Sequence, residues 1–143
     1  MLLVRVAIAG GTGMVGRKLS EQLIENGHEV IILTRGMQQM KNGIQYVQWL
    51  NDDATPELYV KNIDVFINLA GVSLNDGRWT EEQKEKIYNS RMEATDEVIR
   101  LLRNLQYKPQ VLINASAVGI YPVSETAVYT EQSDERANDF LGQ

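Results

Sequence analysis

The feature that most constrains this chain is a loop with four glycines among seven residues, placed directly after an apolar run. Residues 2–9 are apolar except for Arg5, and they predict a buried strand. Apolar residues at helical spacing then run up to Asn26-Gly27, which predicts a helix with a glycine stop. The loop between this strand and this helix consists of Gly10, Gly11, Thr12, Gly13, Met14, Val15 and Gly16.

Two glycine spacings overlap in this loop. Positions 11, 13 and 16 fit G-x-G-x-x-G, and positions 10, 13 and 16 fit G-x-x-G-x-x-G. In either pattern one glycine permits the tight turn, another lets the backbone approach a pyrophosphate, and the last lets the helix pack closely on the strand. The N-terminus of the helix offers free N–H groups to the phosphates. The alternative is a tight turn in an unrelated α/β domain, but the strand–loop–helix context favours a dinucleotide site.

The rest of the chain alternates between predicted strands and helices. We predict strands at residues 29–34, 44–49, 63–69 and 111–114, a short helix within 51–61, and a long helix from Thr80 to near residue 106. Thr80 and Gln83 have the spacing of a capping box. Residues 35–42 are predicted as a loop or short helix, and residues 134–143 as the start of a helix. This order predicts a Rossmann-type α/β fold, a doubly wound parallel sheet, as one NAD(P)-binding domain over residues 1–143.

Composition narrows the class of protein. A chain of 143 residues, 43% of them hydrophobic, suits one folded domain. The net charge is −5 and the two signs interleave, so we expect neither a nucleic-acid surface nor a membrane-binding patch. The chain has no cysteine and one histidine, which excludes disulfides, thiolate metal sites and multi-histidine metal sites and fits a cytoplasmic location. The apolar N-terminal run is too short to span a membrane.

The end of the second predicted strand bears on the choice of cofactor. NAD-preferring sites usually place a carboxylate there to bind the ribose 2′-hydroxyl. Here the strand ends in Thr34-Arg35-Gly36, and the Arg35 guanidinium would pair with a 2′-phosphate. We therefore predict that NADP(H) is preferred over NAD(H), with Thr34 and Arg35 in the cofactor site. The alternative is that Arg35 is an ordinary surface arginine.

Three further motifs give the chain a resemblance to a known family. They are Asn68-Leu69-Ala70-Gly71, Ser116-Ala117-Val118-Gly119-Ile120-Tyr121, and Arg78-Trp79-Thr80 followed by Lys84, Ile87, Ser90 and Arg91. Together with the glycine loop they resemble the extended short-chain dehydrogenase/reductase superfamily, of the NAD-dependent epimerase/dehydratase type, over essentially the whole chain. The arginine–tryptophan motif most resembles the nucleoside-diphosphate-sugar epimerase family that includes the YfcH-like bacterial proteins.

The resemblance implies roles around the cofactor. Leu69, Ala70 and Gly71 would lie against it, where small side chains leave room for the adenosine ribose. Ser116 would be the active-site serine, which bonds a substrate hydroxyl or carbonyl beside the nicotinamide. Its position after a strand also suits the rule that ligands bind at the carboxyl ends of parallel strands. The alternatives are a plain turn at Ala70-Gly71 and a serine that caps the next turn.

The resemblance also bears on substrate and partner contacts. Arg78, Trp79 and Tyr121 are the candidates to face the substrate, although Trp79 is as well suited to plug the core. Arg91 falls on the apolar stripe of the long helix, where it either reaches a substrate or partner helix or lies at the margin of the stripe. The helix at residues 80–106 would also serve as a homodimer interface.

Two departures from the superfamily shape the functional hypotheses. No Tyr-x-x-x-Lys pair, the superfamily's usual acid–base group, occurs in the sequence, and the superfamily's C-terminal substrate-binding part is absent from these 143 residues. We therefore expect a truncated domain that binds NADP(H) weakly and catalyses nothing alone. The leading hypothesis is the cofactor-binding part of an oxidoreductase or epimerase for a small carbonyl or hydroxyl compound, such as a nucleotide sugar. The alternative is a non-catalytic NADP(H) redox sensor.

Overall fold

The computed structural model describes residues 2–143 and contains one six-stranded sheet. The strands are β1 (Arg5–Ala9), β2 (Glu29–Thr34), β3 (Gln39–Lys41), β4 (Ile44–Gln48), β5 (Val65–Asn68) and β6 (Val111–Asn114), in the spatial order β3-β4-β2-β1-β5-β6. All neighbours pair in parallel except β3, which is antiparallel to β4. The helices are α1 (Met14–Glu25) and α2 (Glu81–Asn104), and 3₁₀ turns occupy Pro56–Leu58, Val118–Ile120 and Phe140–Gly142. The predicted doubly wound sheet is confirmed.

The strands divide their side chains between two cores, one on each face of the sheet. In β1, Val6 and Ile8 face the core under α1, whereas Ala7 and Ala9 face the core under α2. Because both faces are covered, the central strands have continuous apolar sequences rather than alternating ones. The α2 side of the core is completed by Ala94, Val98, Leu101 and Leu105.

The strands that flank β1 end level with it. Ala9 is paired with Leu33 of β2 and with Asn68 of β5, and Asn68 is paired with Asn114 of β6. The chain first builds the sheet outward from β1 through β2 and β4, then returns to the other side of β1 for β5 and β6. This reversal leaves a crevice beyond the ends of β1 and β5, the usual ligand position in such sheets.

The structure corrects the prediction for residues 35–42, which contain a strand rather than only a loop or short helix. Edge strand β3 is joined to β4 by the two-residue turn Asn42-Gly43. Both turn residues have positive φ, 51° and 75°, as a type I′ hairpin turn requires. Asn-Gly is a strong hairpin signal in a sequence, so this dipeptide could have identified the strand.

Other predicted boundaries differ by less. The first strand begins at Arg5 rather than at residue 2, and the predicted helix within residues 134–143 is only the turn Phe140–Gly142. The long helix has its predicted cap, because Thr80 Oγ1 accepts a hydrogen bond from Gln83 N at 3.2 Å. The reciprocal half of the capping box is not formed, since Thr80 N donates to Arg78 O instead.

Helix α2 buries one stripe and leaves several larger side chains on its outer surface. Tyr88, Met92 and Ile99 are each a little under half exposed. At the far edge of the sheet, Val111, Leu112 and Ile113 of β6 are also about half exposed, although strands with apolar residues on both faces are normally covered on both. Neither helix within residues 2–143 has the length and apolar character needed to cross a membrane.

A charged network ties the Pro56–Leu58 turn to α2. The Arg100 guanidinium donates to both Glu97 oxygens at 2.8 and 2.6 Å and to both Glu57 oxygens at 3.3 and 3.2 Å. The hydrogen bonds from Arg100 lower the pKa of the Glu57 carboxyl, and those to Glu97 and Glu57 raise the pKa of Arg100. The Arg100 side chain is 42% exposed, so solvent weakens the pair and we expect a modest contribution to stability.

The first prediction concerns Glu57→Gln. At about pH 7 the variant should be less stable than the parent by about 0.5–1 kcal/mol, because it loses an ion pair. Because the pKa of Glu57 is lowered in the folded state, the stability difference between parent and variant should be complete above the ordinary glutamate pKa of about 4.3. It should vanish as the pH falls through the lower pKa of the folded state. Urea unfolding at neutral and acidic pH measures it. Glu21→Gln, which removes an exposed pair with Lys18, is the control; equal pH dependence in both variants would contradict the prediction.

Candidate functional site

Three of the four loop glycines are required by contacts inside the protein. Gly10 has a φ of +75°, and a Cβ there would lie 2.6 Å from the carbonyl carbon of Leu69. A Cβ on Gly11 would lie 2.8 Å from Ile32 Cγ1, and a Cβ on Gly16 would lie 2.5 Å from Gly11 Cα. These glycines therefore allow the loop, the sheet and α1 to approach one another, as the glycine pattern predicts.

Gly13 has no such internal reason to be glycine. Its φ is −73°, which any residue adopts, and a Cβ would meet only Gly10 O at 3.5 Å, an ordinary contact. Gly13 is the N-cap of α1, and no side chain within residues 2–143 caps this helix end. The helical bonding begins with Arg17 N donating to Gly13 O at 2.9 Å. Glycine at this position keeps the positive helix end open to an anion.

A first cavity of about 310 Å³ lies beside the loop and collects most of the predicted cofactor residues. Other residues that line it are Leu33, Trp49, Leu50, Val72, Ser90, Glu93 and Ala94. Gly11, Met14, Val15 and Gly16 are not in the lining; Met14 and Val15 lie exposed on the first turn of α1. The predicted residues that do line the cavity are Gly10, Thr12, Gly13, Thr34, Arg35, Leu69, Ala70 and Gly71.

The end of β2 forms one wall of this first cavity. Thr34 Oγ1 accepts a hydrogen bond from Gly36 N at 3.0 Å, which fixes the turn that carries Arg35. No ion pair within residues 2–143 engages Arg35. Sequence reasoning missed Glu93, which brings a carboxylate to the same cavity from α2. Its position depends on how α2 packs over the sheet, and no local sequence pattern reports that packing.

A pair of asparagines fixes the turn after β5. Asn68, buried at 6% exposure, donates from Nδ2 to Asn114 Oδ1 at 2.8 Å and accepts from Ala70 N at 3.2 Å. Leu69 N donates to Ala9 O at 2.8 Å. These bonds hold the Leu69-Ala70 turn between β1 and β6, where it contributes to the first cavity and to a second one.

Ser90 and Arg91 hold the segment that follows this turn. Val72 N donates to Ser90 Oγ at 3.0 Å, and Arg91 Nη1 donates to Val72 O at 3.1 Å. Both side chains are anchored to their own helix, because Ser90 Oγ and Arg91 Nη1 also donate to Ile87 O. Gly71 has a φ of +151°, and a Cβ there would lie 3.0 Å from Arg91 Cζ. Arg91 therefore holds a loop in place, a role not among those weighed from the sequence.

A second cavity of about 600 Å³ lies between α2, the turn after β5 and the segment after β6. Ser116 lines it, as its predicted catalytic role requires, and Asn114 lies beside it on the same wall. Tyr88, Arg91 and Thr95 line it from α2. Leu69 and Ala70 belong to the linings of both cavities, so a ligand that passes over this turn would occupy both.

The three predicted substrate residues are not among those lining either cavity. Trp79 packs edge-on against Phe140, with ring centroids 5.5 Å apart, and its Nε1 donates to Leu74 O at 2.8 Å. Because Phe140 lines the second cavity, Trp79 lies behind that wall. Arg78 is exposed before α2. The roles of Arg78 and Trp79 as substrate contacts stay predictions.

Tyr121 is engaged elsewhere. Its hydroxyl donates to Thr130 O at 2.9 Å, and its ring stacks on Tyr129 at 5.0 Å between centroids. The Arg136 guanidinium lies 5.6 Å from the centroid of the Tyr121 ring. The geometry thus explains Tyr121 as part of a local cluster, and its predicted substrate role gains no support from these contacts.

Comparison with known proteins gives the site a family context. Residues 6–139 match the model of the NAD dependent epimerase/dehydratase family. Epimerase family protein YfhF of Bacillus subtilis is 46% identical over 139 residues, which cover 96% of this chain and 46% of that protein. Epimerase family protein SH2119 of Staphylococcus haemolyticus is 42% identical over 94% of this chain and 44% of its own length. The chain thus spans less than half the length of these relatives.

A solved structure of the same kind contains a nucleotide. Human epimerase family protein SDR39U1, determined with NADPH, superposes with a TM-score of 0.79 at 29% identity, covering 96% of this chain and 45% of that one. The nucleoside-diphosphate sugar epimerase from Corynebacterium glutamicum gives a TM-score of 0.74 at 33% identity, covering 99% of this chain and 28% of that one. The Rossmann-type fold and the predicted superfamily are confirmed.

The second prediction separates the two kinds of loop glycine. Gly13→Ala should keep the free energy of unfolding within about 1 kcal/mol of the parent, the range of an N-cap change. It should nevertheless weaken binding of a nicotinamide dinucleotide by about tenfold or more, because a methyl group then stands between the phosphates and the helix end. Gly16→Ala should instead destabilise the fold by about 1–3 kcal/mol, because its Cβ meets backbone.

Urea unfolding and fluorescence titration with NADPH measure the two effects separately. Gly16→Ala serves as the matched control, because it adds the same methyl group to the same loop. Unchanged dinucleotide binding by Gly13→Ala would contradict the assignment of Gly13 to the phosphates.

Proposed function

Because the chain belongs to the NAD-dependent epimerase/dehydratase family, we propose that it is the NADP(H)-binding part of an oxidoreductase or epimerase for a small carbonyl or hydroxyl compound. A nucleotide sugar is the specific substrate that the name of the nucleoside-diphosphate sugar epimerase from Corynebacterium glutamicum suggests. The proposed YfcH-like assignment within the family rests on three motifs: Arg78-Trp79-Thr80 with Lys84, Ile87, Ser90 and Arg91 in α2, Asn68-Leu69-Ala70-Gly71, and the segment from Ser116 to Tyr121. The Rossmann-type fold and the two adjoining cavities support this proposal.

The observation that carries the proposal is Gly13 at the uncapped start of α1. Packing explains why Gly10, Gly11 and Gly16 are glycines, but it does not explain Gly13. A ligand that comes close to the backbone does explain it, and the open helix end favours a negatively charged one. A dinucleotide pyrophosphate meets both conditions, and the crevice beyond β1 and β5 is the place where such a ligand binds in this class of sheet.

The preference for NADP(H) rests on Arg35. An arginine with no ion pair within residues 2–143, in the lining of the first cavity, suits a ribose 2′-phosphate. The human relative determined with NADPH supports this choice. Glu93 in the same lining acts in the opposite direction, since a carboxylate repels a phosphate and accepts hydrogen bonds from ribose hydroxyls. The preference therefore depends on Arg35 outweighing Glu93.

In the proposed reaction the bound nicotinamide supplies or accepts the hydride. Ser116 would donate a hydrogen bond to the reacting oxygen of the substrate from the wall of the second cavity. Asn114 and the Leu69-Ala70 turn would bound the site on the side of the sheet. A cytoplasmic location and a homodimer through the outer surface of α2, where Met92 and Ile99 are exposed, complete the proposal.

The third prediction tests cofactor binding and its specificity together. The chain should bind NADPH more tightly than NADH, followed by nicotinamide fluorescence. Arg35→Ala should weaken NADPH binding by about tenfold or more, the usual worth of a charge-assisted contact, and leave NADH binding nearly unchanged. Arg103→Ala, which removes an exposed arginine from the last turn of α2, controls for net charge.

Two outcomes would count against the proposal in different ways. If NADPH and NADH bound equally and Arg35→Ala changed neither affinity, the dinucleotide site would still be supported, but Arg35 would not be the residue that determines its specificity. Absence of binding to either nucleotide, by this chain and by a full-length relative of the same family, would refute the assignment of the glycine loop.

A second candidate function is a non-catalytic redox sensor that binds NADP(H) in the same cavity. The fourth prediction concerns turnover and is the same for both candidate functions: the chain should bind NADPH without oxidising it when carbonyl compounds are added. NADPH absorbance is the measurement, and sustained oxidation above the protein-free rate would contradict the prediction. A sensor must also distinguish the two redox states, so equal affinities for NADP⁺ and NADPH would exclude that alternative.

A further inference from the structure

The sequence contains two Asn-Gly dipeptides, which lie in different surroundings in the structure. Asn26-Gly27 follows α1, and Asn42-Gly43 forms the turn between β3 and β4. In such a dipeptide the asparagine side chain is open to attack by the next backbone nitrogen, because glycine has no side chain to hinder the approach. All four residues are exposed, so hydrogen bonding rather than burial distinguishes the two places.

The first dipeptide is held by hydrogen bonds on both groups that would react. Asn26 Nδ2 donates to Gln22 O at 2.7 Å, and Gly27 N donates to Ile24 O at 2.9 Å. The side-chain amide and the nitrogen that would attack it are thus each fixed to a carbonyl of α1. Both bonds must break before the nitrogen can turn towards the side chain of Asn26.

The second dipeptide has neither restraint. No hydrogen bond within residues 2–143 engages the Asn42 side chain or the Gly43 N–H. A Cβ at Gly43 would have no contact within 4 Å among the described residues beyond its chain neighbours. The turn is carried by β3, an edge strand of three exposed residues. Such an edge opens locally at a small free-energy cost, which lets the Asn42 backbone rotate until Gly43 N reaches the side chain.

From this contrast we infer that Asn42 is a site of spontaneous deamidation in the folded protein and that Asn26 is protected. The Gly43 nitrogen loses its proton to base and attacks Asn42 Cγ. The N–Cγ bond forms, the Cγ–Nδ2 bond breaks, and Nδ2 leaves as ammonia after taking a proton from solvent. Water then opens the succinimide at Cγ, which gives aspartate, or at the main-chain carbonyl, which gives isoaspartate. The balance is one water consumed and one ammonia released, without oxidation or reduction.

The two products differ in their effect on the hairpin. Isoaspartate continues the chain through Cγ, so it adds one carbon to a turn that joins the paired residues Lys41 and Ile44 through two residues. A two-residue type I′ turn does not accommodate the longer link, so the pairing of β3 with β4 should weaken. Aspartate keeps the main-chain length and tolerates the left-handed conformation, so it should preserve the hairpin.

Ageing the folded chain in mildly alkaline buffer tests the inference. Digestion at acidic pH and mass spectrometry locate each deamidation by the mass change from amide to acid, and enzymatic methylation of isoaspartyl carboxyls identifies the isomer. We expect position 42 to react about tenfold or more faster than position 26, because Asn26 must first break two hydrogen bonds. Asn42→Gln, which would need a larger ring, should remove the signal at position 42 and leave that at position 26 unchanged.

The urea-unfolded chain is the matched control, because both dipeptides keep their sequence and lose their structure. The two positions should then react at similar rates. If the rates still differed as much in urea, sequence rather than structure would explain the contrast, and the inference would be overturned. It would also be overturned if position 26 reacted as fast as position 42 in the folded chain, or if position 42 reacted in urea only.

Hydrogen exchange tests the effect on the hairpin. Amide hydrogens of residues 39–46 should exchange faster in the isoaspartate form, separated by chromatography, than in the parent. Asn42→Asp reproduces the other product and should exchange like the parent over the same residues. Equal protection in the isoaspartate form and the parent would overturn the expected loss of pairing between β3 and β4.

Discussion

The contact between Gly10 and the turn after β5 determines where both cavities lie. The missing side chain at Gly10 lets its backbone come so close to Leu69 that a Cβ would lie 2.6 Å from the Leu69 carbonyl carbon. Leu69 N donates to Ala9 O, so β5 continues beside β1 beyond the last paired residues. This approach brings the Leu69-Ala70 turn to the crevice between the two halves of the sheet, where the glycine loop borders one cavity and Ser116 the other.

Helix α2 supplies the second support, and it couples the two cavities. Ser90 and Arg91 are consecutive residues, yet the first lines one cavity and the second lines the other. They hold opposite ends of the Val72 residue, at its amide N–H and its carbonyl oxygen. A displacement of Val72 would therefore alter both walls, so a ligand in either cavity gains from the same fixed arrangement.

The sequence allowed the central fold to be predicted because its signals there are local and repeated. Continuous apolar runs identified the buried strands, Thr80 identified the start of α2, and the glycine spacing identified the loop. Strand β3 was missed because its exposed residues lack a buried alternating face, and its evidence is the turn Asn42-Gly43 rather than its own three residues. The end of the chain has no comparable pattern, and a predicted helix there became a single 3₁₀ turn.

The candidate site was less predictable, because much of it depends on contacts between distant segments. Arg35 follows a strand directly, so the topology alone brings it to the carboxyl edge of the sheet. Glu93 reaches the same cavity only through the packing of α2. Tyr121 was suggested as a substrate residue by the motif that begins at Ser116; in the structure Thr130 and Tyr129 engage its hydroxyl and ring, and its substrate role stays a prediction.

Local charge, rather than the total charge, explains why a protein of net charge −5 would take ligands with several negative charges. At physiological ionic strength charges are screened over about 8 Å, so exposed carboxylates elsewhere on the surface have little effect inside a cavity. The groups that matter for the proposed nucleotide are those in the lining of the first cavity: the open end of α1 and Arg35, opposed by Glu93.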